Sequence, residues 1–166
     1  MSKKYVDNKR LYSVLIEYKE KQEDALLSDK EKPRIPEYFG ECVLLIARRL
    51  SSKPQFYNYP YKEDMVSDGV ENCLLYMDNF DPTKSENPFA YFTQIIYYAF
   101  LRRIQGEKKH LYIQYKLQEE SGFGSMNYTT DGDSIEVKRD GVDLSRINNF
   151  ITDYEDYRNV TKKDID

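Results

Sequence analysis

The sequence predicts an all-α fold: a compact multi-helix domain over residues 1–120, a flexible polar linker over 121–141, and a short amphipathic helix with a charged tail over 142–166. Three observations predict it. Apolar residues recur at helical spacing in one segment after another. The breaks between segments carry proline or clustered small polar residues. No segment alternates convincingly with the period of two that a half-buried strand requires.

Residues 8–27 place Leu11, Val14, Leu15 and Tyr18 at i, i+3, i+4 and i+7, the apolar stripe of a first helix. The stretch SDKEKPRIPE, 28–37, is charged and interrupted by Pro33 and Pro36, which suits a linker or an ordered loop. A second helix follows, with Phe39, Cys42, Val43, Ile46, Ala47 and Leu50 on one face. Pro54 keeps it from running far, and PQFYNYPY reads as an extended, tyrosine-rich connection. Residues 62–80 form a third helix, whose core stripe is Val66, Val70, Cys73, Met77 and Phe80 and whose end is set by Asp81-Pro82. The fourth opens with Asn87 as N-cap and Pro88 at the first helical position, where a missing N–H is harmless. Those start signals make ENPFAYFTQIIYYAFLRRI a helix despite its strand-like content of aromatic and β-branched residues. It continues through EKKHLYIQYKLQEE, with Gly106 as the place for a bend or pause. SGFGSMNYTTDGDS is small and polar, a loop, and VDLSRINNFITDYEDY is a last amphipathic helix.

Composition narrows the function classes. A net charge of −4 with 33% charged residues excludes a simple polybasic nucleic-acid binder. Sixteen tyrosines and no tryptophan suit surfaces that need an apolar ring with a polar tip. The start, MSKKYVDNKR, has no apolar signal segment, and no stretch approaches the roughly 18 apolar residues of a membrane span, so a soluble cytoplasmic protein is expected, with no membrane partner. Cys42 and Cys73 stand without a CxxC motif or a histidine at ligand spacing and are read as reduced, buried thiols. Asp64, Asp68 and Glu71 offer carboxylates to a metal, but His110 is the sole histidine and no second carboxylate cluster faces them. There is no Gly-rich phosphate loop and no nucleophile motif. Neither an enzyme nor a cofactor is expected, and His110, after Lys108 and Lys109, reads as a surface residue.

Two helix faces read as partner surfaces. Opposite the core stripe of the third helix lie Asp64, Asp68, Glu71 and Asp78, with Ser67, Asn72 and Leu75 among them. Acids near a helix N-terminus gain about 0.3–1 kcal/mol each from the dipole, which explains a solvated face. An apolar Leu75 inside the stripe adds a docking site for a basic amphipathic helix. On the fourth helix, Phe89, Phe92, Ile96, Ala99 and Phe100 make one apolar face, while Tyr91, Ile95, Tyr98 and Arg102 make a second stripe on roughly the other side. A helix apolar nearly all round is normally buried. Rings followed by cations also suit unpaired nucleic acid, since bases stack on rings for about 1–3 kcal/mol each and arginines hold phosphates. Between 86 and 116, Arg102, Arg103, Lys108, Lys109 and Lys116 oppose only Glu86 and Glu107, a basic island in an acidic chain.

These two helices, in this order, resemble the second conserved region of bacterial sigma factors. DMVSDGVENCLLYMDNFD, 64–81, is similar to that family's Asp-Leu-Ile-Gln-Glu-Gly segment with its Phe-Asp ending, and FAYFTQIIYYAFLRRI falls where the family has its promoter-melting helix. The likeness is nearest to the late-transcription sigma factors of T-even-type bacteriophages. It covers about 5–120, including KYVDNK, LLIA, FDPTKSENPFAYFTQ and AFLRRI. The resemblance implies a phage-encoded subunit that acts in the cytoplasm of an infected bacterium. It would bind the RNA polymerase core through the clamp helices of the largest subunit, recognise an AT-rich element upstream of late start sites within the holoenzyme, and melt it. Carried over by position, polymerase contact falls on Asp64, Ser67, Asp68, Val70 and Leu74, with Glu71 and Leu75 added from the face itself. The family's base-stacking tyrosine corresponds to Phe92, its tryptophan pair to Ile95 and Ile96, and a phosphate-contacting arginine to Arg103. A flipped base still finds a ring in Phe92, whereas isoleucines wedge but do not stack. The resemblance thus selects the side bearing Phe92, Ile95, Ala99 and Arg103, and the stripe selects Tyr91, Ile95, Tyr98 and Arg102; Ile95 belongs to both.

The late factors also carry a short hydrophobic, acidic epitope for a sliding clamp. INNFITDYEDY has that mixed character and equally fits a terminal amphipathic helix, so a sliding clamp or coactivator is left open. The rival to a sigma factor is a helical module that docks on polymerase to inhibit or redirect it, with a fourth helix that is core only.

Overall fold

Asp7 begins the first helix by capping it: its Oδ1 accepts from the backbone N–H groups of Lys9 and Arg10 at 3.1 and 3.2 Å. The structure, a computed structural model, describes residues 5–121, 127–130, 133–136 and 144–163. Over these the chain runs α1 (Asn8–Leu27), α2 (Glu37–Ser51), α3 (Lys62–Leu75), a 3-10 turn (Met77–Asn79), α4 (Pro88–Glu120), β1 (Asn127–Thr130), β2 (Asp133–Glu136) and α5 (Leu144–Lys163). The fold is all-α with one small hairpin. No described helix is long and apolar enough to cross a membrane. The chain divides into two compact units, Met1–Arg103 and Ile104–Asp166, and the division falls inside α4, not at the boundary near 120 expected from composition.

In the first unit the predicted stripes point inward. Leu11, Leu15 and Tyr18 of α1 are buried, as are all six of the predicted residues of α2. The 28–36 connection is an ordered loop, pinned by the Tyr18 hydroxyl donating to the Pro33 carbonyl at 3.4 Å and by Lys32 bonded to Asp78 at 2.7 Å. Asn8 ties α1 to the start of α4, accepting from the Phe89 N–H at 3.0 Å, while Asn87 Oδ1 accepts from Ala90 N–H at 3.1 Å as the predicted N-cap. Rings close the core: Phe92 meets Phe39 edge-on at 4.8 Å, and Phe56 meets Phe100 edge-on at 5.2 Å. Such pairs add about 0.5–1.5 kcal/mol each beyond burial.

Four expectations are corrected. PQFYNYPY is a series of turns with Phe56 buried, not an extended connection, because that ring has a place against Phe100. The third helix stops at Leu75, and a 3-10 turn carries Met77 into the core. α4 runs through Gly106 without a break. The expectation of no strand fails at β1 and β2, which pair antiparallel with Asn127 opposite Glu136 and Thr130 opposite Asp133. Their signal was present: Asp131-Gly132 between two short runs is the dipeptide that two-residue hairpins favour. Residues 122–126, 131–132 and 137–141 of the expected linker, and the first two and last three of the segment expected over 142–166, lie outside the described residues.

In the second unit, α5 is longer than the short helix expected. Tyr154 stacks on Tyr112 of α4 at 4.7 Å, and Phe150 meets Tyr115 edge-on at 5.5 Å. The Tyr112 hydroxyl donates to Glu155 at 2.7 Å, and Lys116 bridges to the same carboxylate at 3.3 Å. Phe150, Ile151 and Tyr154 of INNFITDYEDY are thus packed or buried, while Tyr157 is exposed.

Candidate functional site

α3 carries a solvent face built as its periodicity requires. Met65, Val66, Gly69 and Cys73 turn inward, which leaves Asp64, Ser67 and Glu71 exposed on the far side and Val70 half-buried between. The apolar end of that face is the most conspicuous part: Leu75 is 68% exposed, and Leu74 and Tyr76 are exposed beside it. Tyr76 was not singled out from sequence; its signal was an aromatic directly following two leucines that cannot all face one core. Asp78 leaves the stripe because the 3-10 turn redirects it. There it accepts from Gln22 at 2.9 Å and pairs with Lys32, and the hydrogen bond from Lys32 holds its carboxyl below the usual range.

Asp68 behaves differently from its neighbours. Its two carboxylate oxygens accept from Arg103 Nε at 2.6 Å and Nη2 at 2.8 Å, a bidentate and partly buried pair. Arg102 donates to Asn72 Oδ1 at 2.8 Å one turn further along. Asn72 in turn donates to the Asp68 carbonyl at 2.7 Å. The two arginines therefore close the seam between α3 and α4. Gly69 lets the helices approach: a Cβ there would lie 2.9 Å from Ile96 Cγ2 and 3.2 Å from Phe100 Cε1.

On α4 the two selections made from sequence separate. Phe92 and Ile96 are 0% exposed and Ala99 is buried with them. A ring enclosed by Phe39, Phe80 and Tyr91 has no face left for a base, so the positions carried over by resemblance are corrected to core at these three residues. The outward stripe keeps Tyr98, half exposed, and Arg102, exposed, with Tyr91 and Ile95 half-buried along it. Tyr91 leans on Phe80 at 5.3 Å, and burial raises its hydroxyl pKa. Lys108, Lys109 and His110 are exposed and belong to the second unit.

Among the described residues no three His, Cys, Asp or Glu side chains come together as a metal site. Both cysteines are free and buried. Burial pushes the Cys73 thiol up to about 12 and raises that of Cys42, so neither is a thiolate near neutrality. No family model and no curated protein matches this chain.

Proposed function

We propose that the protein is a sigma-type subunit that docks on RNA polymerase core through the outer face of α3 and presents the outer stripe of α4 to an AT-rich promoter strand. The observation that carries the reading is Leu75, 68% exposed at the end of a face lined by Asp64, Ser67 and Glu71. An apolar anchor with an acidic border is complementary to a basic amphipathic helix, the chemistry the resemblance assigns to the polymerase clamp. Large exposed apolar side chains grouped on one surface commonly mark a partner site. The promoter-facing role falls on Tyr98, Arg102, Ile95 and Tyr91, because Phe92, Ile96 and Ala99 are interior.

The test is retention of the protein on immobilised core polymerase. Asp64→Lys with Glu71→Lys, and separately Leu75→Asp, are all at exposed positions and are expected to weaken retention at least about tenfold, roughly 1.4 kcal/mol. Unchanged retention of both variants would remove the α3 face from the account.

A second reading has its own support. Phe92, aligned with the family's melting ring, and Ile96, one of the aligned wedge pair, are buried, and Arg103 is held by Asp68. A module that docks on polymerase without touching DNA accommodates both facts. Thymine reactivity on a supercoiled AT-rich template separates the two. Reactive thymines upstream of the start, dependent on the protein and lost in Tyr98→Ala with Arg102→Ala, are expected for the sigma-type reading. Retention on core without any opened thymines would favour the docking module.

A further inference from the structure

We propose that the tyrosine-rich connection between α2 and α3 forms, with Tyr98 of α4, a second binding surface for an unpaired DNA strand. The connection stands out in charge. Between Glu41 and Glu63 the chain has no acid, while Arg48, Arg49, Lys53 and Lys62 lie there, in a protein whose net charge is −4. Tyrosines tolerate exposure, so rings alone would argue nothing; rings interleaved with cations and no acids are the composition of a single-strand platform.

The geometry makes the rings a fixed surface. Phe56 is buried against Tyr97 and Phe100, at 5.8 and 5.2 Å, and so anchors the connection on α4. The N–H groups of Phe56 and Tyr57 both donate to the Lys53 carbonyl, and Lys62 Nζ donates to Ser52 Oγ at 3.3 Å, tying the two ends of the connection together. Tyr57, next to the anchor, is 56% exposed. Tyr59 and Tyr61 pair at 5.3 Å with their planes 34° apart. Tyr97 in turn touches the edge of Tyr98 at 5.8 Å, which continues the aromatic surface onto the outward stripe of α4. Bases in a duplex are stacked on one another and give such rings no face, whereas an open strand does. The occupant is taken as DNA because the surface continues onto Tyr98, the residue given above to the opened promoter strand; in that respect the inference rests on that reading.

The experiment uses the full chain without polymerase, so its failure is distinct from failure of the docking reading. Anisotropy of a labelled oligodeoxythymidine about 12 nucleotides long is titrated with protein at several salt concentrations. Saturable binding is expected, with a logarithmic salt slope of about −2 for three neutralised phosphates. Tyr57→Ala should weaken it about tenfold, and Lys53→Glu should weaken it and flatten the slope by roughly 0.7. Both positions are exposed, and circular dichroism of both variants is to match that of the parent as the check that they fold. Absence of binding at low salt overturns the proposal, as does equal affinity for duplex or heparin, which would reduce the surface to a generic polyanion patch. Insensitivity to both substitutions overturns it too, and tighter binding of oligouridine overturns the assignment to DNA.

Discussion

Helices α3 and α4 meet at Gly69, yet their outward faces carry opposite chemistry. α3 turns Asp64, Ser67, Glu71 and Leu75 to solvent; α4 turns out Tyr98 and Arg102. Between them runs a seam where Asp68 of α3 is paired with Arg103 of α4, and the exposed Arg102 reaches across it to Asn72. The difference teaches how a helix with apolar residues on most sides is used. α4 buries one strip, Phe92, Ile96, Ala99 and Phe100, and its remaining rings lie at the border with solvent, where a hydroxyl or guanidinium finds water or a polar neighbour. α3 has a narrower apolar stripe, so its excess leucines end outside.

The comparison is broken most severely at Phe92. Phe92→Ala removes a ring that touches Phe39, Phe80 and Tyr91, and about 3–5 kcal/mol of stability should go with it. Tyr98→Ala, half exposed one turn and a half along, should cost about 1 kcal/mol or less. Denaturant melts of the two variants measure the gap directly. Similar small losses for both would mean that Phe92 is not core and would return it to the DNA-facing residues. The contrast also governs how a test of the proposed promoter opening is read: loss in Phe92→Ala would report unfolding, while loss in Tyr98→Ala would report the surface.

Much of this was legible in the sequence, and the illegible part has a physical pattern. The helix starts at Asn8 and Pro88 follow from capping chemistry and apolar spacing, and the six inward residues of α2 follow from one strict periodicity. α4 was harder, because a helix apolar on two sides has two self-consistent burials; only the position of Phe39 and Gly69 selects between them. Asp68 was read as surface because charge periodicity cannot see a partner 35 residues away. Leu75 was legible as exposed, whereas Asp78 left the stripe once the helix ended early. Capping, period and composition are local. What remained hidden depends on which distant side chain fills the seam.

A smaller effect, at Asp68 and Arg103, sharpens the comparison furthest. If the bidentate pair belongs to the fold, Asp68→Asn and Arg103→Met should each cost on the order of 1–2 kcal/mol, because each leaves a partly buried polar partner behind. The double variant should cost less than the two together, with a coupling of roughly 1 kcal/mol that salt reduces only in part. That coupling is also what Arg103 would forfeit in turning to a phosphate. A coupling near zero would mean that the guanidinium is available without loss, and the family's phosphate-contacting position would then hold for this chain. A coupling of the expected size assigns Arg103 to the seam and leaves the phosphate contact proposed for α4 to Arg102, an exposed side chain whose bond to Asn72 is to a neutral group and is correspondingly easier to exchange.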